Sequence, residues 1–167
     1  MILISDASIL IDLGFVDGID VLPKLGTCEV LDLVLLECDH ESQSGLVQNI
    51  MASGITVVHV SGALLKEANS MQAKLLSVQD KLTLCYATSM DRVVLAGDRP
   101  LREKCQESGI ECRGAIWIVE EAHRKGLVQA DELCRWLSVW PSVGRRLPSK
   151  ELERLHHLLK CGKVGKG

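Results

Sequence analysis

Four carboxylates stand where a carboxylate needs a reason. Asp6 follows the apolar run Ile2-Leu3-Ile4, and Asp98 ends the stretch VVLAG that starts at Val93. Glu37 closes the apolar segment LVLL, and Asp80 opens a helix-like stretch behind Ser77. Acids gathered in one place raise each other's pKa and destabilise a fold that leaves them unpaired. A bound divalent cation removes that cost. Oxygen-only ligands suit Mg2+ or Mn2+, which bind through few carboxylates and keep several waters. Such an ion activates water and stabilises charge on phosphoryl oxygens. An acid cluster without a nucleophile beside it therefore points to metal-assisted hydrolysis of a phosphate ester.

Taken singly, each acid has a plainer role. Ser77-Val-Gln-Asp80 has the Ser-x-x-acid spacing of a capping box, an arrangement that stabilises a helix start by about 0.5–2 kcal/mol. Asp98 suits a turn or helix cap before Pro100, and Asp6 suits a cap on the helix that follows it. Glu37 is the hardest to explain locally, because LVLLEC offers it no evident solvent face. It is the set of four that favours a shared site.

The elements around them decide whether they meet. Ile2-Leu3-Ile4, Val30-Leu31, Ile55 to Val60 and Val93 to Ala96 read as short strands, the third the richest in β-branched residues. Ile110 to Cys112 reads as a last short strand. Between them, helical spacing covers SILIDLGF, Gly45 to Ser53, Leu64 to Leu75, Val78 to Met90, Pro100 to Ser108 and Ala115 to Lys125. The remainder reads as two or more helices broken near Pro141 and Pro148. Apolar strands alternating with helices make an α/β fold with a parallel sheet covered on both faces. In such sheets, sites form at the carboxyl ends of strands, where Asp6 and Asp98 stand.

The 167 residues, 47% hydrophobic and 25% charged, suffice for one core without metals or disulfides. No apolar run approaches the roughly 20 residues of a spanning helix, and MILISDASILIDL carries Asp6 and Asp12 with no basic leader. Seven scattered cysteines, with no Cys-x-x-Cys pair, read as reduced core residues of a cytoplasmic protein. The net charge of −3 is uneven: Ser142 to Gly167 holds seven basic residues against two acids, leaving −8 for the first 141 residues. Such asymmetry fits contact with a polyanion, or a solvated helix face.

Together, Ser5-Asp6-Ala7-Ser8, VLDLVLLE ending at Glu37, LSVQDKLTLCYA around Asp80 and VVLAGDRPLR around Asp98 resemble the PIN-domain proteins, in particular the small prokaryotic VapC-like ribonucleases. GIECRGAIWIVEEAHRKGLV resembles the family's continuation after the last motif. The resemblance covers about residues 1–130, read as a PIN-like nuclease domain, with 131–167 as a helical extension of the same domain. It implies a three-layer αβα sandwich on a parallel sheet of four or five strands. It also implies Mg2+- or Mn2+-dependent cleavage of single-stranded RNA, with Asp6, Glu37, Asp80 and Asp98 as metal-binding and catalytic acids. Ser8 matches a supporting hydroxyl position. Arg99 and Arg102 flank Asp98, where each suits either a nucleic-acid backbone or a local ion pair. Asp32, Asp39 and Glu41 stand near Glu37 as other choices for the second acid. The resemblance further implies a homodimer, no membrane, and an antitoxin partner if the chain is the toxin of a toxin–antitoxin pair.

Rival readings fail on residues. A haloacid-dehalogenase-type phosphatase needs Asp-x-Asp where this chain has Asp6-Ala7-Ser8. A response-regulator receiver needs paired acids near the first strand and a late lysine. No dinucleotide or P-loop glycine motif occurs, and His59, His123, His156 and His157 lack catalytic spacing. The remaining alternative is a catalytically silent PIN-like module that binds RNA or protein.

Overall fold

The computed structural model describes residues 1–162. The basic residues Lys163 and Lys166 lie outside them. Five strands form the centre: β1 (Ile2–Ser5), β2 (Thr27–Leu31), β3 (Thr56–Val58), β4 (Val93–Leu95) and β5 (Cys112–Arg113). All are parallel, in the order β3-β2-β1-β4-β5. Leu3, Ile4, Val30, Leu31, Val94 and Leu95 are buried, as continuous apolar runs in a parallel sheet must be.

The helices are α1 (Ala7–Phe15), α2 (Leu22–Leu25), α3 (Asp32–Leu36), α4 (Leu46–Ala52), α5 (Gly62–Ser70), α6 (Val78–Met90), α7 (Arg99–Glu107), α8 (Ala115–Arg124), α9 (Ala130–Ser142) and α10 (Ser149–Leu159). α6 packs against α5, α7, β1 and β4, while α1, α8, α9 and α10 form a second contiguous group. The result is the expected three-layer α/β sandwich, and none of its helices is long and apolar enough to cross a membrane.

Differences from the sequence reading have local causes. The β-branched run Ile55 to Val60 gives only β3, an edge strand with Thr56 and Val57 exposed, because the Val60 N–H donates to Asp32 Oδ1 at 3.2 Å instead of joining a ladder. α5 stops at Ser70, whose hydroxyl donates to the carbonyls of Lys66 and Glu67. β5 begins later than Ile110, whose N–H closes α7 on the Cys105 carbonyl. Pro141 does not break α9; it falls in the last turn, where only one backbone bond is forfeited. α2 has no counterpart in the sequence reading.

The cysteines require a correction. Cys134 and Cys161 form a disulfide, whereas all seven were expected reduced. Packing of α9 on α10 brings their Cα atoms to 5.6 Å, within bridging range, and their separation of 27 residues conceals this in the sequence. Cysteine usage therefore does not place the chain in a reducing compartment. In the chain-entropy account a loop of this length stabilises by about 3–4 kcal/mol. Dithiothreitol, or the Cys134→Ser/Cys161→Ser double substitution, should lower the melting temperature by several degrees. An unchanged melting curve in reductant would refute the crosslink.

Candidate active site

β1 pairs with β2 on one flank and with β4 on the other, so the chain reverses its winding direction at the β1/β4 boundary. The crevice outside the carboxyl ends of two such strands is where open parallel sheets take their ligands. Asp6 leaves β1 at this point, and its N–H donates to the Leu95 carbonyl at 2.8 Å, which fixes the residue against β4. Its side chain caps α1, with Oδ1 accepting the Ile9 N–H at 2.9 Å. Oδ2 accepts the Ser8 hydroxyl at 2.7 Å and the Gly97 N–H at 3.0 Å. Gly97 also donates to Ser8 Oγ at 3.0 Å. Burial pushes the Asp6 carboxyl up to about 7 against these three donors, and the charge of Asp98 adds to the rise.

The other acids sit on the rim. Asp98 precedes α7, but its carboxylate does not cap that helix and is exposed. Asp80 completes a capping box on α6: its N–H donates to Ser77 Oγ at 3.1 Å, and the Ser77 N–H donates to its Oδ2 at 3.3 Å. Glu37 is the C-cap of α3. Partial desolvation raises the carboxyl of Glu37, an exposed residue, and the charges of Asp80 and Asp98 add to it. Burial also raises Asp80, with a contribution from Asp98, against the pull of its capping bonds. The charge of Asp98 thus reaches Asp6, Glu37 and Asp80, although the four acids arise from four separate connections.

Among the described residues, no three histidine, cysteine or carboxylate side chains converge tightly enough to hold a metal ion unaided. The donor set nevertheless fits a hard dication. It is oxygen-only and mutually repelling, with Asp6, Glu37 and Asp80 shifted toward protonation, and Mg2+ takes only one or two direct carboxylates while water fills its remaining positions. Asp6 Oδ1 has one lone pair left after the Ile9 bond.

Beyond Asp98 opens a groove of about 1100 Å³, between α7, β5, α8 and the segment before α10. Arg102, Arg113, Arg145 and Arg146 line it, with Trp117 on its wall. The family model DUF3368, described as a PIN domain, matches residues 2–160, a span that takes in every strand and helix given above. The chain belongs to the PIN-domain family. No curated protein and no solved structure matches it. PIN domains are nuclease folds that usually work with divalent metal ions.

In this PIN domain the plain roles of two of the acids hold, since Asp6 and Asp80 are helix caps. Glu37 has a solvent face after all, because Leu36 and Glu37 both turn outward at the end of α3. Asp32 is otherwise engaged. Its Oδ1 accepts the Leu33 N–H at 2.8 Å and the Val60 N–H, and its Oδ2 meets His59 Nδ1 at 2.7 Å. Burial works against its ionisation, but the Val60 N–H and His59 outweigh it and hold its carboxyl low. Arg99 forms an exposed ion pair with Glu103 at 2.6 Å, while Arg102 is exposed on the groove.

Three residues of this region were not singled out from the sequence. Gly97 lies against Ser8, and a Cβ there would stand 2.5 Å from Ser8 Oγ. Asp12, which is buried, and Arg145, which is partly exposed, form an ion pair at 2.7 Å. Asp12 was legible in principle, because helical spacing puts it on the same face of α1 as Ile9 and Leu13.

Proposed function

We propose that this PIN domain is a metal-dependent endoribonuclease that hydrolyses phosphodiester bonds of single-stranded RNA. The observation that carries the reading is Asp6 at the β1/β4 switch point, its carboxylate held by Ser8, Ile9 and Gly97, with the uncapped, exposed Asp98 directly after Gly97. In this reading Asp6, Asp80 and Asp98 hold Mg2+ or Mn2+, directly or through water. Glu37, its carboxyl already raised, orients the attacking water and takes its proton. The ion, when bound, lowers the pKa of water and neutralises charge on the scissile phosphate. Ser8 and Gly97 hold Asp6 in place by their hydrogen bonds to its Oδ2. Water oxygen attacks phosphorus in line, and the opposite P–O bond to the ribose breaks. Arg99 and Arg102 flank that centre.

The test is cleavage of labelled single-stranded RNA. We expect activity with Mg2+ or Mn2+, none in EDTA, and a loss of about a hundredfold or more in Asp98→Asn. Binding of Mn2+ at a hundred times its Kd should stabilise the fold by about 2.7 kcal/mol.

The wide spacing of the acids favours a second reading, a PIN module that binds RNA or protein without cutting. Absence of both cleavage and metal-induced stabilisation would select it. A toxin role and a homodimer belong to the first reading. The toxin role predicts an adjacent open reading frame for a small DNA-binding antitoxin.

A further inference from the structure

The end of α9 builds a second arrangement beside the acids. Gly144 takes φ 87°, the left-handed region that favours glycine, and the Arg145 N–H returns to the Trp140 carbonyl at 2.9 Å. Trp140 is fully buried and donates its indole N–H to the Asp12 carbonyl at 2.9 Å. One tryptophan therefore sets Arg145 and Asp12 in register. Arg145 Nε stands 2.7 Å from Asp12 Oδ2, and Asp12 is only 3% exposed. The approach is off the N–H axis, so both buried atoms lack a hydrogen bond. An ion pair with a buried carboxylate is a weak source of stability, so its presence beneath an open groove calls for another reason. One terminal nitrogen of Arg145 lies 3.6 Å from where a Cβ on Gly97 would stand, beside Asp98.

The other carboxylates of the groove are engaged. Glu103 pairs with Arg99, and Glu120 and Glu151 pair with Arg154. Arg102 and Arg146 line the groove exposed. Neither pairs with an acid among the described residues.

We infer that Arg145, positioned by Asp12, binds a backbone phosphate of a single-stranded nucleic acid that runs from Asp98 along the groove past Arg102 and Arg146, with Trp117 facing a base. The identity of the ligand rests on the nuclease reading. Guanidinium groups grip phosphate by paired N–H donors, and an aromatic face takes any base.

The test is binding of a fluorescein-labelled twelve-nucleotide single-stranded RNA in EDTA, measured across salt concentrations, so that it does not depend on cleavage. Arg145→Ala should weaken binding by about tenfold and flatten the log–log salt slope by about 0.7, the value for one phosphate contact on a single strand. Arg102→Ala and Arg146→Ala should each flatten it similarly, and they keep the test sound if Arg145→Ala fails to fold. Arg124→Ala, away from the groove, should change neither quantity. Asp12→Asn should weaken binding when Arg145 is present and not when it is Ala, because a positioning residue acts through its partner.

No binding by the parent protein, or unchanged affinity and slope in the Arg102, Arg145 and Arg146 variants, overturns the inference. Poly-L-glutamate binding as tightly, with the same losses, would put an acidic protein segment in the groove and overturn it as well. Binding that follows these expectations without cleavage under any metal would sink the nuclease reading alone. Cleavage with an unaltered Arg145→Ala salt slope would sink this inference alone.

Discussion

Asp6→Asn should abolish metal-dependent cleavage and make the metal-free protein more stable at pH 8. Asn keeps the shape, and its carbonyl still accepts the Ile9 N–H. Ser8 Oγ can accept from the new amide, while the Gly97 N–H retains Ser8 Oγ as a second acceptor. What disappears is a charge in a buried place. The Asp6 carboxyl moves from 3.8 to about 7 on folding, so the folded chain holds a proton that the unfolded chain has lost. The resulting stability is complete below about pH 4 and is lost as the pH rises through about 7, for a total on the order of 4 kcal/mol. In EDTA the parent should therefore be less stable at pH 8 than at pH 5, and the variant should lose most of that difference. A dication competes with the same proton, so the parent's metal affinity should weaken below pH 7. Chemical denaturation at the two pH values and an RNA cleavage assay decide the matter. Cleavage at the parent's rate by Asp6→Asn, or a parent stability flat across that range, would remove Asp6 from the site.

Gly97→Ala should have the second-largest effect. The new methyl would stand 2.5 Å from Ser8 Oγ and 3.2 Å from Ser8 Cβ. Ser8 has little freedom to yield, because its hydroxyl is held between Asp6 Oδ2 and the Gly97 N–H. Overpacking of this kind costs about 1–3 kcal/mol. Displacement of Asp6 by a fraction of an ångström to an ångström should cut cleavage by about a hundredfold. Adding Ser8→Ala removes the closest clash, so the double variant should regain stability while its cleavage stays low. Full activity in Gly97→Ala would mean that the Ser8–Gly97 brace does not matter to the site.

The strand-end acids were legible because an apolar run that stops at a carboxylate is a local signal, and parallel sheets gather such stops on one rim. Asp6 and Asp98 follow this rule. The capping box at Ser77 and Asp80 was equally local, and α6 runs from Val78 to Met90 as its spacing indicates. The Gly97–Ser8 contact was hidden, because it joins residues 89 apart through one hydrogen bond that no periodicity encodes. The same holds for Asp12 with Arg145 and for Cys134 with Cys161, each fixed by how α9 meets its neighbours. The edge strand β3 misled for a different reason. β-branched composition reports fitness for a pleated surface, not how much of the run will find a partner.

The pairing of Leu3 with Val93 has a temporal consequence. On a ribosome, Ile2 to Ser5 can join the second strand once about thirty residues are free, since their partners begin at Thr27. The Asp6–Gly97 bond spans 91 positions, so a nascent chain that has not yet released Gly97 has no completed acid pocket. Any activity that needs this pocket is thereby deferred until Gly97 has emerged.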